Sequence, residues 1–390
     1  MPFEILETET QGTMIKVIGI GGAGGNAVEH MIRRGVQGVE FICANTDHQA
    51  LSRSSAKNVI QLGDTGLGAG SRPDVGRQAA EEARDRIADA LRGAHMVFLT
   101  AGMGGGTGTG AAPVIAEIAK ELGILTVAVV SKPFDFEGPK RMRVAEQGLV
   151  ELQDRVHSLI VILNNKLEEV LGEDAEMADC FQAADDVLHN ACAGIAEIIN
   201  IPGLVNVDFE DVKTVMGEHG KAMMGTATAS GTDRARVAAE QAVSSPLLEG
   251  VDLSGARGVL VNITASPSLK MRETREVMNT IREFAAEDAT VIFGTVCDES
   301  IGDALRVTVV ATGLGKAAAV KKAPLTMVRP VVTESPAVIG STSAPGHEYS
   351  HLDTPAVWRS RDGSAVRAAA VDELPVERFD IPAFLRKQAD

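Results

Sequence analysis

AGMGGGTGTGAAP, residues 101–113, joins an unbroken apolar run to a segment with helical spacing. From Gly104, Gly105 and Gly106 through Thr107, Gly108, Thr109 and Gly110, it presents no large side chain. Backbone N–H groups can therefore approach an anion closely, and a helix beginning near Ala111 points the positive end of its dipole at that anion. Thr107 and Thr109 add hydroxyl donors. A glycine run costs unfolded-chain entropy and is expected to add nothing to packing, so a merely flexible turn is the weaker reading. No G-K-[ST] is present, so no P-loop lysine supplies charge. Backbone amides, the helix dipole and a bound cation, Mg2+ above all, must meet the phosphate charge instead.

Working outward, the strand before this loop is HMVFLTA (95–101), and the helix after it is Ala111–Leu122, with Pro113 in its first turn and Gly123 just past its end. ILTVAVV (124–130) is the next strand, with a further one at Leu159–Leu163. Upstream lie strand MIKVIGI (14–20), helix Asn26–Arg34 ended by Gly35, strand VEFICAN (39–45) and helical spacing over Arg77–Leu91. Apolar strands alternating with helices predict a parallel sheet covered on both faces. A long helix follows over about Glu176–Asn200, its apolar stripe (Ala183, Val187, Ala191, Ile195, Ile198) widened by Cys180, Ala184, Leu188 and Cys192. A smaller α+β unit comes next. Its helices are expected near Glu210–Met216, Asp233–Ser244 and Met271–Ala286, and its strands at 256–265, 290–296 and 304–312. From Lys316 to about residue 378 periodicity is lost among Ala, Pro, Ser and Val, the composition of a flexible linker. The chain closes with FDIPAFLRKQAD (379–390), where Ile381, Phe384 and Leu385 can share one helix face as a docking peptide.

A second glycine loop, GIGGAGGN (19–26), contains G-x-G-x-x-G at Gly19, Gly21 and Gly24, and Asp47 follows roughly twenty residues on. Alone, it fits the dinucleotide fingerprint and a nicotinamide-dependent oxidoreductase. The loop at 104–110 argues against that, because a single dinucleotide site has no use for a second phosphate loop so rich in glycine.

Charge narrows the partners. The chain carries 37 Lys and Arg against 53 Asp and Glu; ten and nine of these fall in residues 316–390, leaving 27 against 44 in the body. An acidic body repels nucleic-acid backbones and anionic membrane surfaces. Apolar residues make up 45% but aromatics only 3%, so the cores must rest on Val, Ile, Leu, Met and Ala. Cys43, Cys180, Cys192 and Cys297 form no C-x-x-C pair and are expected to be buried, reduced thiols. The N-terminal residues MPFEILETETQGT are acidic and lack a signal-peptide core, and no apolar run approaches the roughly 18 residues of a membrane span. A cytoplasmic protein without direct membrane insertion is expected.

At GGGTGTG (104–110) the chain resembles the FtsZ family, the tubulin-like bacterial cell-division GTPases. GIGGAGGNAV (19–28), NTD (45–47), GLGAG (66–70), PFDFEGPKRM (133–142), NVDFEDV (206–212) and SGARGVLVNITA (254–265) are similar to segments of that family in the same order, as is the terminal DIPAFLRKQAD. The similarity spans residues 14–315 and the last eleven. It implies an α/β fold with these parts: a flexible N-terminus (1–13), a tubulin-like GTP-binding domain with a parallel sheet (14–175), a central helix (176–203), a second α+β domain with a mainly antiparallel sheet (204–315), a disordered linker (316–378) and an adaptor-binding peptide (379–390).

The resemblance also assigns residues. Gly22, Ala23, Gly24, Gly25 and Asn26 would wrap the α- and β-phosphates of GTP or GDP. Gly106, Thr107 and Gly108, within the loop Gly104–Gly110, would hold the phosphates from the other side. Ala69 and Gly70 would lie near the γ-phosphate, and Glu137 and Arg141 at the ribose. Asn164 belongs to the same pocket, although Leu163 stands where proline is common and Asn165 where an acid often follows. Phe181 would stack on the base, and Asp185 would accept the guanine N1–H and N2–H2, two donors that adenine does not present together. Mg2+ would be held mainly through the phosphates rather than by side chains, with K+ a further candidate cation.

The remaining functional residues lie in VNVDFEDVKTVM. From the residues alone, Asp208 is an N-cap and Asp211 the acid at the third helical position. The resemblance implies that Asn206, Asp208 and Asp211 enter the nucleotide site of the next subunit and orient water and cation at the γ-phosphate. Hydrolysis would then need head-to-tail assembly of identical chains into a filament. The implied setting is the mid-cell division ring on the inner face of the membrane, reached through membrane-tethering adaptors and regulators that read residues 379–390. A tubulin-like filament with another task, such as DNA partition or cell shape, is the alternative that this terminal peptide argues against.

Overall fold

The computed structural model describes residues 12–172, 174–201, 203–218, 220–245, 256–286 and 288–314. The expected linker and terminal peptide, and most of the N-terminal segment, lie outside these residues. β1 (Ile15–Ile20) runs directly into α1 (Gly21–Arg33), followed by β2 (Val39–Asn45), the single-turn α2 (His48–Leu51) and β3 (Asn58–Gln61). Next come α3 (Pro73–Glu82), α4 (Arg84–Leu91), β4 (Met96–Gly102), α5 (Thr107–Glu121) and β5 (Leu125–Lys132). A 3₁₀ turn at Asp135–Glu137 leads to α6 (Pro139–Gln153), β6 (Ser158–Leu163), α7 (Asn164–Leu171) and the long α8 (Met177–Asn200). The rest comprises α9 (Phe209–Met216), β7 (Gly220–Ser230), α10 (Arg234–Val243), β8 (Gly258–Ala265), α11 (Met271–Phe284), β9 (Thr290–Cys297) and β10 (Ala304–Leu314).

The strands form one sheet in the order β3-β2-β1-β4-β5-β6-β7-β10-β8-β9. From β3 to β6 every pairing is parallel. β10 pairs antiparallel with β7 and β8, while β8 and β9 run parallel. The two regions meet where β6 and β7 pair over only three positions, Ser158↔Gly220, Leu159↔Lys221 and Ile160↔Ala222. Strand order reverses between β1 and β4, whose last residues pair as Ile20↔Ala101. Both glycine loops leave the sheet at that reversal, the position where open α/β sheets bind ligands.

Alternation along the strands feeds two faces. Ile15 and Val17 of β1 join a core with α1, α8 and α9; Ile18 and Ile20 join the opposite core, under α3, α4, α5 and α6. A third core packs α10 and α11 on β8 and β10. In α8, Ala184, Val187, Leu188, Ala191, Cys192, Ile195 and Ile198 are all buried, as the wide stripe predicts. α8 packs on β5, β6, β8 and β9, bridging the parallel and mixed regions.

Several local expectations are corrected. α1 begins at Gly21 and α5 at Thr107, so much of each glycine loop is the first turn of a helix. These glycines do contribute to packing: a Cβ on Gly24 would lie 2.3 Å from the Thr100 carbonyl oxygen, and one on Gly110 only 2.0 Å from that of Pro73. The helical stretch expected over Arg77–Leu91 starts earlier, at Pro73, and is interrupted at Ala83. β7 carries no strong strand signal because GKAMMGTATAS is rich in Ala, Gly and Met rather than branched residues. Cys43, Cys180 and Cys192 are buried, but Cys297 ends the edge strand β9 and is exposed.

Candidate functional site

Two helix N-termini converge at the sheet reversal. Gly21 takes φ 74°, and a Cβ there would lie 3.0 Å from the Gly108 amide nitrogen, so α1 and α5 start almost in contact. Around Gly22, Gly25 and Gly105 no atom of the described residues comes within 4 Å of the place a Cβ would take. The glycines therefore divide by role: Gly24, Gly106, Gly108 and Gly110 let backbones pass, whereas Gly22, Gly25 and Gly105 leave room for a ligand. Ala23 and Asn26 continue the α1 turn. The hydroxyls of Thr46 and Thr107 lie 2.6 Å apart, which fixes Thr107 from the residue that follows β2. Thr109 is buried, and its hydroxyl accepts the Gly104 N–H at 2.8 Å, shaping the loop from inside. The Thr46 contact and the Thr109 bond carried no motif to announce them.

The loop containing Ala69 and Gly70 is tied to the NTD segment. The Gly68 N–H donates to the Thr46 carbonyl and the His48 N–H to that of Gly66, both at 3.0 Å. Ala69 lies against Gly106, and Gly70 and Ser71 both adopt left-handed conformations, at φ 57° and 58°. This stretch thereby rests on the second phosphate loop. Asp47, the candidate ribose acid of a dinucleotide site, instead caps α2 by accepting the N–H groups of Gln49 and Ala50.

Beside the phosphate cradle opens a cleft of ≈ 320 Å³. Gly22, Ala23 and Asn26 of the cradle line it together with a wall of Asn164, Phe181 and Asp185 and with Glu137 and Arg141. Residues far apart in sequence are thus gathered here. Phe181 is held edge-on by Phe134, with ring centroids 5.3 Å apart, yet remains 44% exposed to the cleft side and solvent. Glu137 pairs with Arg141 at 2.8 Å and also accepts the Phe134 N–H. Asn165, in the position where an acid was expected, accepts the Asp135 N–H at 2.9 Å and steadies the turn that carries Glu137. Lys132 also lines the cleft, ion-paired to Glu146 at 3.4 Å; a lysine at a strand end gave no signal of this.

Two polar groups in this wall favour a ligand. Asn164 is buried, and its Oδ1 has no hydrogen-bond partner among the described residues, a costly state for a buried acceptor. Asp185 is half-buried and makes no hydrogen bond or ion pair among them. Burial pushes its carboxyl up to about 6, with His30 opposing, Asp186 reinforcing and Arg33 opposing the shift. A ligand offering donors would relieve both groups. The fit suits a nucleobase with an N–H edge, seated beside a phosphate cradle.

The acids of α9 are elsewhere. Asp208 caps α9, its Oδ1 accepting the Asp211 N–H at 2.8 Å, and Asn206 Oδ1 accepts the Gly203 N–H at 2.7 Å. All three side chains are exposed. The loop is anchored to β9, because Val205 N–H donates to Thr295 Oγ1 and Thr295 N–H donates back to the Val205 carbonyl. Phe209 then packs on His95, centroids 6.0 Å apart. His95 precedes β4, whereas the phosphate loop follows it. At about 3.3 Å per strand residue, β4 separates those two points by roughly 20 Å. Within one chain, Asn206, Asp208 and Asp211 stand at the opposite end of the sheet from the nucleotide cradle.

Comparison with known proteins agrees with this architecture. The Tubulin/FtsZ family GTPase domain matches residues 14–172, and the FtsZ family C-terminal domain matches residues 220–315. The cell division protein FtsZ of Coxiella burnetii is 56% identical over 392 residues, covering 99% of each chain. That of Pseudomonas aeruginosa is 55% identical over 396 residues, covering 100% of each. Among solved structures, an empty FtsZ dimer from M. jannaschii has TM-score 0.75 at 42% identity and covers 79% of this chain and 89% of that one. CetZ2 from Haloferax volcanii, in a GTPgS-bound protofilament, has TM-score 0.66 at 20% identity over 78% of this chain and 95% of that one, a likeness of fold alone.

Proposed function

This chain belongs to the FtsZ family of tubulin-like cell-division GTPases, and from that premise we propose that it hydrolyses GTP only where a second copy completes the site. Guanine-nucleotide binding and GTP hydrolysis come with the family's GTPase domain, and filament formation for division comes with the family. The nucleotide's phosphates lie over Gly22–Asn26 and Gly106–Gly108. Its ribose lies toward Glu137 and Arg141, and its base between Phe181 and Asp185. Asp185 accepts the guanine N1–H and N2–H2, and Asn164 Oδ1 accepts a further donor from the ligand.

The observation that carries the shared site is the separation of the α9 acids from the cradle in one chain. Phe209 contacts His95 at one end of β4, and Gly104–Gly110 follow its other end. Surfaces at opposite ends of a subunit can meet only between subunits, and such a heterologous contact propagates head-to-tail. Asp208 and Asp211, fixed by the cap, then hold a water in line with the γ-phosphate of the neighbour. Phosphoryl transfer needs chiefly such positioning and charge stabilisation. Mg2+, held mainly through the phosphates over Gly22–Asn26 and Gly106–Gly108, would supply countercharge there, with K+ as a further candidate cation. The open space at Gly105 and the paired α1 and α5 N-termini fit a phosphate chain without a lysine.

Residues 379–390 serve as the peptide through which adaptors and regulators bring filaments to the inner face of the membrane at mid-cell. The chain makes no direct membrane insertion of its own and has no nucleic-acid partner. The test is specific GTPase activity against protein concentration. It rises above a threshold if neighbours complete the site; a flat profile overturns the shared site. Removing residues 379–390 leaves that threshold in place and abolishes adaptor binding.

A further inference from the structure

A three-residue cluster joins α1 to α8 beside the cleft. His30 Nε2 lies 2.8 Å from Asp186 Oδ1, and Arg34 Nη2 donates to the same oxygen at 2.7 Å. His30 is only 8% exposed and Asp186 is half-buried, so this is not a solvated surface pair of small consequence. The first turn of α1 is the phosphate cradle, while α8 carries Asp185, next in sequence to Asp186. The cluster therefore links the helix that cradles phosphate to the residue that reads the base. A hollow lined by His30, Arg33, Arg34, Phe181 and Asp185 places Asp185 beside the basic face of α1, and the Asp186 charge acts on Asp185 from the next position of α8.

Two adjacent carboxylates in a partly buried site resist joint ionisation. The charged groups around Asp185 are few. From α1 come His30, Arg33 and Arg34; from its own helix comes Asp186; elsewhere in the cleft lining Glu137 pairs with Arg141 and Lys132 with Glu146. His189 stands edge-on to His30 at 6.1 Å, and burial lowers its basicity, so it adds no charge near neutrality.

We propose that His30 and Arg34 are positioning residues for guanine recognition: by engaging Asp186, His30 through a hydrogen bond and Arg34 as its counter-charge, they let Asp185 alone present a carboxylate to the base. This deepens, and rests on, the reading that Asp185 accepts the guanine N–H edge. The two acids are not interchangeable. Asp186 is engaged by α1 through its Oδ1, and Asp185 is left free for the ligand.

The test measures equilibrium binding of GTP and of inorganic triphosphate to the full chain below its assembly threshold, from pH 5 to pH 8. Triphosphate reports the cradle without the base. The expected result for His30→Ala is a pH midpoint of GTP binding moved upward by about one unit from about 6, so that GTP affinity falls about twofold at pH 7 and about tenfold near pH 5. Triphosphate affinity near pH 5 changes by less than about twofold, well under that one-unit effect. Adding Asp186→Asn removes the second carboxylate beside Asp185 and returns the midpoint toward wild type. Arg34 is half exposed, so Arg34→Gln supplies a variant that folds even where His30→Ala does not, and it moves the midpoint in the same direction. An unmoved midpoint in the folded variants overturns the proposal, as does equal weakening of GTP and triphosphate, which would mean that the cluster merely props α1. Asp185→Asn separates the two readings. Unchanged GTP affinity and pH dependence in that variant would remove the base-acid assignment itself, whatever the His30 variants do.

Discussion

Phe209 packs its ring on the imidazole of His95, centroids 6.0 Å apart and planes at 65°. That contact pins the start of α9 to the end of β4 remote from the glycine loop, so Asp211 has no phosphate of its own chain within reach. Asp211→Ala is therefore expected to bind GTP as the wild type does while hydrolysing it about a hundredfold more slowly, the scale of losing a positioned polar group at a reacting centre. Its filaments should persist. Phosphate release and sedimentation over time check this, and normal turnover would remove the shared site.

Thr109 accepts the Gly104 N–H inside the protein, where no water replaces it. Thr109→Val leaves that donor unmatched and should cost about 1–3 kcal/mol in urea unfolding. Thr109→Ser keeps the oxygen and should lose much less. If Val and Ser prove equal, the bond does not hold the loop.

Gly105 and Gly110 belong to one motif but predict opposite phenotypes. A Cβ on Gly110 meets the Pro73 carbonyl at 2.0 Å, so Gly110→Ala should destabilise the fold by about 1–3 kcal/mol through overpacking. Gly105 has open space, so Gly105→Ala should unfold at the wild-type urea concentration yet bind GTP more weakly. Paired unfolding and nucleotide titrations distinguish them; a shared phenotype would dissolve the division between packing and ligand glycines.

Asp185 sets a stability trend opposite to that of an ion-paired acid. Its folded value of about 6 lies above the ordinary 3.8, so the nucleotide-free fold binds a proton that the unfolded chain releases between those values. Its contribution to stability is greatest in acid and declines as pH rises through that window. Asp185→Asn should then slightly raise the melting temperature of the nucleotide-free protein at pH 7 and shrink the rise that GTP confers. Thermal melts with and without GTP read both effects. A variant that melts lower than wild type without nucleotide would contradict the burial argument.

Arg234 and Glu273 form a buried fork between α10 and α11, bonded at 2.7 and 3.2 Å, with side chains only 4% and 10% exposed. The Arg234 hydrogen bonds hold the Glu273 carboxyl below its usual range. Glu273→Gln leaves the buried guanidinium with only the exposed Asp303 carboxylate, at 3.4 Å, as counter-charge and should cost about 3 kcal/mol. The wild-type contribution is present above the ordinary glutamate value and fades as pH falls through the depressed one. Urea unfolding near pH 7 and in acid should show the variant's deficit shrinking as pH falls; a constant deficit would point to lost packing instead.

The parallel half of the fold was legible because β1, β4 and β5 are continuous apolar runs punctuated by glycine, a signal local to each strand. β7 was not, because its place depends on β10 and β6 flanking it rather than on its own residues. The phosphate loops announced themselves through glycine, but the reason for each glycine did not: Gly110 answers to Pro73, and Gly105 to empty space. Asp208 as a helix cap could be read from spacing alone, and the Asp211 N–H does donate to it. The grouping of Asn164, Phe181 and Asp185 with Glu137 and Arg141 entered through family resemblance, since side chains from separate elements leave no common period. The tie from His30 to Asp186 spans 156 positions and left no trace in either local pattern.

A sheet of ten strands suggests a stiff plate, yet this one carries a crease. At β6 and β7 the ladder narrows to three pairs, and the Ser158 hydroxyl stitches it by donating to the Met216 carbonyl at 2.6 Å. The cradle hangs from strands on one side of the crease, and α9 rests on β8 and β9 on the other. In a stack of subunits, a load entering at the cradle and leaving at α9 passes through those three pairs, through α8, and through the Phe209–His95 and Ser158–Met216 contacts that tie α9 to the parallel strands. A subunit under such load should therefore yield at this narrow seam before the broader ladders on either side of it.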